Sequence, residues 1–372
     1  MLTQLQIHNV RNLKQVSLPD LACVNIFYGA NGSGKTSVLE AVHMLGMARS
    51  FRQGTPRALL THGEQRCTVY GVSARSGRVP IAVQRILSGE VQIKLGGQAV
   101  RSVAELVEEL PLQVINAESF DLLTGSPPAR RQFLNWGVFH VEQRFFTEWQ
   151  RFQRCLKQRN KLLRHGKLNL SELSVWTREL AESGDRIHEF RLQYFDSLAP
   201  RFRDVMGRLA PSLQGLEIRY RKGWDKALSF RDALEAGASA DLEQGYTHIG
   251  PQRADLKVTI GGYSAAETLS RGQQKLVVCG LKLSQGQLMS EAGGHGVSSV
   301  YLVDDLPAEL DARHCELVCG ALAELQAQVF ITCVAKEDLE GMWPVGVSPA
   351  VFHVEHGQVL NESLRDQVNE TG

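Results

Sequence analysis

Residues Gly29–Thr36 read Gly-Ala-Asn-Gly-Ser-Gly-Lys-Thr, a complete G-x-x-x-x-G-K-[ST] phosphate loop. Its three glycines allow backbone N–H groups to approach phosphate oxygens without a Cβ in the way. Lys35 supplies a positive charge for the β- and γ-phosphates, and the Thr36 hydroxyl is suited to ligate Mg²⁺. The residues expected to contact the nucleotide here are Gly29, Ala30, Asn31, Gly32, Ser33, Gly34, Lys35, Thr36 and Ser37.

The sequence on both sides of the loop supports this interpretation. Val24–Tyr28 is a short, apolar, β-rich run, and residues 37–45 have the pattern of a helix whose N-terminus points at the bound anion. A glycine-rich turn with an incidental lysine would need neither neighbour. The sequence therefore predicts a strand, a loop and a helix that bind a nucleotide.

Composition narrows the class of protein without identifying it. The 372 residues, 43% hydrophobic and 22% charged, are typical of a globular protein with room for two domains. A net charge of +1 gives no global argument for nucleic-acid binding, and no run of about 18 apolar residues predicts a membrane span. The seven scattered cysteines and the lack of a signal-like start lead us to expect a cytoplasmic protein. Cys315 and Cys319 beside His314 allow a metal site, but core packing is favoured.

Two further motifs follow the phosphate loop. Val300–Val303 is an apolar strand that ends in Asp304 and Asp305, where the first acid can hold Mg²⁺ and the second can activate water. Many buried strands end in aspartate by chance. Upstream, Ser270, Gly272 and Gln273 offer a hydroxyl and bare amides at a helix start, which suits a γ-phosphate, although Ser270 is equally explained as a helix N-cap.

The order of these motifs, followed by Ala308–Asp311, resembles that of ABC-type ATPases in the DNA-repair branch that includes the SMC proteins. Within that branch the chain resembles the RecF family nearly from end to end. The matching stretches are Arg11–Leu13, Gly29–Glu40, Arg49–Arg52, Gly125–Leu134, Leu156–Asn160, Gly250–Leu256, Leu269–Lys275 and Asp304–Asp311.

The resemblance implies an α/β fold: an ABC-type ATPase head in which a mixed α/β nucleotide-binding lobe carries an inserted, mainly helical second lobe. Residues 1–120 and 296–372 would form the first lobe, and residues 121–295 would form the second with the Leu-Ser-Arg-Gly-Gln signature. ATP and Mg²⁺ would be the cofactors. ATP would sit between two subunits, so its binding would close a homodimer and its hydrolysis would open it.

The resemblance also implies roles for individual residues. Thr36 and Asp304 would ligate the metal, and Lys35, Asp304 and Asp305 would form the catalytic set. Arg11 and Asn12 would lie beside the base. The γ-phosphate contacts from the second subunit would be Ser270, Gly272 and Gln273.

Two departures from the wider ABC superfamily predict slow hydrolysis. Asp305 stands where most ABC ATPases have a glutamate, and Ile331–Val334 lacks the usual switch histidine. The counterpart of the glutamine loop is expected near Asn116–Glu118. The chain is therefore expected to be a weak, DNA-stimulated ATPase that acts as a timed clamp.

DNA is the expected partner, as duplex, single strand or gap junction, and RecR, RecO and RecA are the expected pathway proteins in repair and SOS induction. Residues 144–167 contain one acid, Glu148, and a set of basic side chains. These are Arg144, Arg151, Arg154, Lys157, Arg159, Lys161, Arg164 and Lys167. The residues alone leave two interpretations open: a solvated face paired with acids on the next helix, or a surface that follows DNA phosphates. The resemblance favours the second, and Arg130 and Arg131 would serve DNA or the link between lobes.

Three other classes share some of these features. An ATP-binding subunit of an ABC transporter carries the same motifs, but the long basic helices and the missing switch histidine argue against it. A structural SMC-like protein needs far more heptad sequence than this chain has. A small-molecule phosphotransferase would have no use for the Ser270–Gln273 element.

Overall fold

The computed structural model describes residues 1–52, 54–164, 170–292 and 299–362. The strands, numbered in chain order, are β1 (Leu2–Val10), β2 (Leu13–Leu18), β3 (Val24–Tyr28), β4 (Arg66–Ser73), β5 (Val79–Ile86), β6 (Val91–Leu95), β7 (Gln98–Val100), β8 (Leu112–Ile115), β9 (Leu216–Arg221), β10 (Asp255–Ile260), β11 (Tyr263–Ser264), β12 (Val300–Val303), β13 (Gln328–Cys333), β14 (Ala350–Glu355) and β15 (Gln358–Asn361).

The α-helices are numbered in the same way. They are α1 (Lys35–Met47), α2 (Pro56–Leu59), α3 (Val103–Glu109), α4 (Pro127–Val141), α5 (Phe145–Arg164), α6 (Leu170–Leu209), α7 (Phe230–Ala236), α8 (Ala238–Gln244), α9 (Ala265–Thr268), α10 (Arg271–Ala292), α11 (Leu306–Glu309), α12 (Ala312–Glu324) and α13 (Glu337–Glu340). Short 3-10 helices cover Ala117–Leu122 and Pro251–Arg253.

The chain divides into two compact units. The nucleotide unit combines Met1–Ser119 with Val278–Gly372, and the helical unit is Phe120–Val277. The nucleotide unit contains an antiparallel sheet in the order β2-β1-β4-β5-β6-β7 and a second sheet in the order β15-β14-β3-β13-β12-β8. In the second sheet β14, β3, β13, β12 and β8 run parallel, so their carboxyl ends meet at one edge.

Helix α1 lies between the two sheets and is buried along almost its whole length. Its neighbours in the core come from both sheets, and they include Ile7 and Val69 on one side and Phe27 and Phe330 on the other. Strand β3 is apolar in almost every position because it is a central parallel strand covered on both faces. The phosphate loop therefore joins two elements that the core holds in place.

The helical unit contains α4–α9, the start of α10 and a small antiparallel sheet in the order β11-β10-β9. The long helices α5 and α6 pack against each other, and Phe145, Phe152 and Leu163 on α5 are buried as the apolar spacing predicts. The long helices expected of the second lobe are present as α4, α5 and α6. Among the described helices, none combines the length and the apolar character needed to cross a bilayer.

Candidate nucleotide-binding site

The phosphate loop, Asp304, Asp305 and Thr332 come together because three adjacent strands end at the same edge. Strand β3 leads into the loop, and β12 leads into the two acids. Val303 on β12 lies opposite Ile331 on β13, and Cys333 on β13 lies opposite Tyr28 on β3. Side chains that are nearly 300 positions apart in the sequence therefore meet at a single site.

The backbone of the loop requires glycine at specific positions. Gly29, Gly32 and Gly34 have φ angles of 148°, 81° and 124°. A Cβ on Gly29 would lie 2.2 Å from the carbonyl oxygen of Val354. Helix α1 starts after Gly34 without a side-chain cap, so its first N–H groups remain available to an anion. The buried hydroxyl of Ser33 also has no hydrogen-bond partner within the described part of the chain.

The side chain of Lys35 lies within the loop. Its ammonium group donates hydrogen bonds to the carbonyl oxygens of Gly29 at 2.6 Å and Ala30 at 3.0 Å, and the residue is only 7% exposed. The loop therefore surrounds a buried positive charge. Such a charge at a helix N-terminus is the electrostatic arrangement that binds a polyphosphate.

A hydroxyl and a carboxylate form the candidate metal site. The Thr36 hydroxyl donates to Asp304 Oδ1 at 3.0 Å, and the Thr332 hydroxyl donates to the same oxygen at 2.9 Å. Mg²⁺ prefers such oxygens and takes most of its other ligands from water and phosphate. Accordingly, a pair of protein oxygens fits Mg²⁺, although no group of three or more His, Cys, Asp or Glu side chains suited to a metal occurs in the described ranges.

Asp305 has an unusual backbone and an altered acidity. Its φ angle of 54° lies in the left-handed region, which a residue other than glycine seldom adopts. Its N–H donates to the Thr332 hydroxyl at 2.9 Å, so Thr332 holds both acids in place. Burial, and then the neighbouring Asp304, raise the pKa of the Asp305 carboxyl. A raised pKa suits a group that accepts a proton from attacking water.

Arg11 and Asn12 brace the loop from the first hairpin. The Arg11 guanidinium makes two hydrogen bonds, of 2.9 and 2.7 Å, to the fully buried carboxylate of Glu40 on α1. Asn12 accepts a hydrogen bond from the Ser37 hydroxyl at 2.8 Å and donates to the carbonyl oxygen of Ser33 at 3.0 Å. These contacts anchor both residues. Their location beside a nucleotide base remains a prediction.

Ser270, Gly272 and Gln273 lie in the helical unit, at the start of α10. The Gln273 N–H donates to the Ser270 hydroxyl at 3.4 Å, and the Ser270 N–H donates to the Gln273 side-chain oxygen at 3.0 Å. This reciprocal pair is a capping box. The N-cap interpretation of Ser270 therefore holds in this structure. Ser270 and Gly272 are also exposed, so their outward groups are accessible to a ligand.

The basic residues of α5 fall into two groups. Arg151 pairs with Glu179 and Glu182 on α6, and Arg144, which directly precedes α5, pairs with Glu142. Arg159, which the sequence grouped with the others, is only 2% exposed and pairs with the buried Asp241 at 2.6 Å. That grouping was wrong for Arg159 because the residue lies on the apolar face of the helix.

The other group on α5 is exposed and shares one helix face. Positions three and four apart lie on the same side of a helix, and none of these side chains forms an ion pair with a described residue. We call them the α5 basic stripe: Arg154, Lys157, Lys161 and Arg164. Lys167 lies outside the described residues.

Some functional residues carried no clear signal in the sequence. Thr332 was noted only as part of a segment without a histidine, yet its hydroxyl bonds to both acids. Arg52 lies 3.8 Å from Asp304 across the site.

In the helical unit, Arg130 pairs with Asp255, and Arg131 donates to the carbonyl oxygen of Ala254. Both arginines therefore support the start of β10.

Comparisons with known proteins show the family to which the chain belongs. The family model for the RecF/RecN/SMC N terminal domain matches residues 1–358. The DNA replication and repair protein RecF of Pseudomonas syringae pv. syringae (strain B728a) is 48% identical over 360 residues, which are 96% of this chain and 97% of that protein. RecF of Stutzerimonas stutzeri (strain A1501) is 48% identical over 361 residues, 96% of each chain.

Solved structures also resemble this chain in fold. One described as the recombination mediator protein RecF-ATPrS in the RecFOR pathway has a TM-score of 0.82 at 28% identity and covers 97% of this chain and 98% of that chain. An Smc head domain from Pyrococcus furiosus has a TM-score of 0.59 at 13% identity and covers 100% of this chain and 99% of that chain, a likeness of fold alone.

The fold is therefore that of an ABC-type ATPase head of the RecF/RecN/SMC class, as the sequence predicted. The chain belongs to the RecF family, whose curated members are named DNA replication and repair proteins. Both the predicted fold class and the resemblance to RecF are confirmed.

Proposed function

We propose that this protein is an ATP-dependent DNA clamp of recombinational repair. It binds ATP with Mg²⁺, dimerises around the nucleotide and engages DNA at single- and double-strand junctions. Together with RecR and RecO it then promotes the loading of RecA on single-stranded DNA. ATP turnover is slow and is stimulated by DNA. Solved relatives described as RecF-ATP and RecF-ATPrS in the RecFOR pathway support the nucleotide and the pathway.

The observation that carries the proposal is the Thr36–Asp304 pair at the N-terminus of α1. Bound Mg²⁺ would supply charge neutralisation at the β- and γ-phosphates, with these two residues as its protein ligands. Lys35 holds the terminal phosphates by charge, and the open N–H groups of α1 orient them.

Dimerisation follows from the exposed cap of α10. Ser270 and Gln273 already satisfy each other within one chain, so the cap needs no further group for stability. A γ-phosphate held on a second subunit is a stronger acceptor than a neutral side chain. ATP then stabilises the dimer, and the loss of the γ-phosphate removes that stabilisation.

Slow hydrolysis follows from Asp305 and Thr332. The Asp305 carboxylate is one methylene shorter than the glutamate of most ABC ATPases, so it reaches less far toward attacking water. The segment Ile331–Val334 has no histidine that could relay a proton, and at neutral pH the Thr332 hydroxyl does not take one up. The Thr332 hydroxyl therefore holds Asp304 and Asp305 in place and contributes little to proton transfer.

The α5 basic stripe is the candidate DNA surface. Its four charges lie on one face, no described residue pairs with them, and they can bind phosphates without reading base sequence. Arg151 and Arg159 are excluded from that role because acids already neutralise them. This division assigns part of the basic segment to each of the two interpretations that the sequence left open.

A DNA-binding titration tests the proposal. Duplex and gapped DNA are titrated with wild type and Lys35→Met, with and without ATP, over a salt series. We expect ATP to tighten DNA binding of wild type alone, and the affinity to fall steeply with salt. Equal retention of DNA by Lys35→Met in the presence of ATP would reject an ATP-dependent clamp.

A further inference from the structure

A second candidate site lies within the helical unit, on side chains that the proposed function does not use. A cleft of about 990 Å³ opens between α6, the turn that follows β9 and the start of β10. Its walls combine the cationic Arg221, Lys226 and Arg253 with the apolar Pro127 and Leu192. We call this the β9 cleft. Arg253 belongs to the Gly250–Leu256 stretch, for which the nucleotide site provides no role.

Two glycines fix the shape of the β9 cleft. Gly223 has a φ angle of 99°, and a Cβ there would lie 2.2 Å from the carbonyl oxygen of Gly250. The Gly250 N–H in turn donates to the Gly223 carbonyl oxygen at 3.1 Å. This backbone crossing holds the turn after β9 against the loop before β10. Arg221 and Arg253 are consequently brought to one cleft by rigid backbone.

The acids of the cleft leave its positive charges available. Asp255 already pairs with Arg130 at 2.7 Å, and Asp225 accepts the N–H of Ala227 at 2.9 Å without forming an ion pair with a described residue. By contrast, Arg221, Lys226 and Arg253 form no ion pair with any residue that the structure describes. The cleft therefore presents three cations to a ligand.

A buried charge behind the cleft adds to its positive potential. Arg191 is fully buried, and it contacts the oxygens of Asn135, Pro251 and Tyr220 rather than a carboxylate. The lining residue His188 responds to this environment. Burial, with smaller effects from Lys222 and Arg191, lowers the pKa of His188 to about 4, so its ring is neutral at pH 7.

Two observations favour a protein ligand over a nucleic acid. Trp224 is not a free stacking surface for a base, because the Lys222 ammonium lies 4.8 Å from its ring and the Phe230 ring 4.7 Å away. Leu192 is 40% exposed on the wall of the cleft, where an apolar side chain would cover it. Cations beside exposed apolar surface suit a chain that alternates acidic and apolar residues.

We propose that the β9 cleft docks an acidic segment of a protein partner. Its carboxylates pair with Arg221 and Arg253, and an apolar side chain packs on Leu192. This site is independent of the nucleotide site, so either proposal can fail without the other.

Fluorescence anisotropy with a labelled octapeptide of alternating glutamate and leucine tests the docking site on the full chain. We expect salt-sensitive binding that weakens at least about 10-fold in the double variant Arg221→Ala/Arg253→Ala. Leu192→Asp should weaken it as well, and because the side chain is exposed the variant should fold. Arg231→Ala is the matched control, since Arg231 is exposed outside the cleft.

Three results would overturn the docking site. One is unchanged affinity in both the double variant and Leu192→Asp. Another is equal binding of a lysine–leucine octapeptide. The third is displacement of the acidic peptide by an oligothymidylate of eight nucleotides at equal concentration, which would make the cleft a single-strand site. ATP-dependent dimerisation of the double variant, measured in parallel, reports separately on the nucleotide site.

Discussion

Helix α1 begins after Gly34 with no side-chain cap, whereas α10 begins under a cap made by Ser270 and Gln273. The N–H groups at the start of α1 therefore remain available to an anion at all times. Those at the start of α10 are partly satisfied by its own side chains. We therefore propose a sequence of events: one chain binds the nucleotide at α1, and the start of α10 takes part only when a second chain presents a phosphate.

Lys35→Met tests the open helix end and should have the largest effect. Removing the buried ammonium leaves the loop without the charge that holds the phosphates. We expect the affinity for ATP to fall at least about 100-fold, or about 3 kcal/mol, in a titration with a fluorescent ATP analogue. Lys14→Met, at an exposed position of β2, is the control and should bind ATP as wild type does. Retained affinity in Lys35→Met would contradict the assignment of the loop.

Ser270→Arg tests the capped helix end. The long charged side chain would fill the space of a partner's γ-phosphate, so ATP-driven dimers should disappear in light scattering. Nucleotide binding by one chain should be nearly unchanged. Ser270→Ala is the control without added bulk or charge: it removes the hydroxyl, and the loss of the cap should cost about 1 kcal/mol of stability. Dimers of normal stability in Ser270→Arg would disprove the role of α10.

The α5 basic stripe allows a test with a smaller effect. The double variant Arg154→Ala/Lys161→Ala should reduce the slope of log affinity for duplex DNA against log salt by about 0.9 for each phosphate that the variant no longer neutralises. Arg219→Ala, an exposed arginine on β9, should leave the slope unchanged. If the double variant has the same slope as wild type, the DNA surface lies elsewhere.

Asp305 and Asp311 should change stability in opposite directions. Burial raises the pKa of Asp305, so its ionised form lowers stability above the folded pKa, and this penalty is lost at acid pH. Hydrogen bonds from His314 lower the pKa of Asp311, so its ionised form adds stability above the unfolded pKa, and this contribution is lost as the pH falls through the folded pKa. At pH 7, Asp305→Asn should raise Tm slightly and Asp311→Asn should lower it. A lower Tm for Asp305→Asn would contradict the sign given for Asp305.

The sequence predicted best what is local along the chain. The phosphate loop, the helix α1 and the strand before Asp304 each lie within one continuous stretch, so spacing and residue type suffice to recognise them. The nucleotide class followed from the order of the motifs. These parts of the fold and of the site needed no knowledge of three-dimensional contacts.

The sequence could not predict what depends on register and packing. Thr332 reaches Asp304 only because β12 and β13 are aligned with Val303 opposite Ile331. Arg159 looks like a surface residue until Asp241 is brought against it by the fold. Arg221 and Arg253 share the β9 cleft only because the fold brings the turn after β9 against the loop before β10, which no local pattern shows.

Mixing Lys35→Met with Ser270→Arg tests most directly whether ATP is shared between two chains. Each variant alone should remain monomeric with ATP. A mixed dimer would contain one intact site, formed by the phosphate loop of the Ser270→Arg chain and the start of α10 in the Lys35→Met chain. Light scattering of the equimolar mixture with ATP should therefore show dimers. A mixture that stays monomeric, or dimers of Ser270→Arg alone, would contradict the shared site.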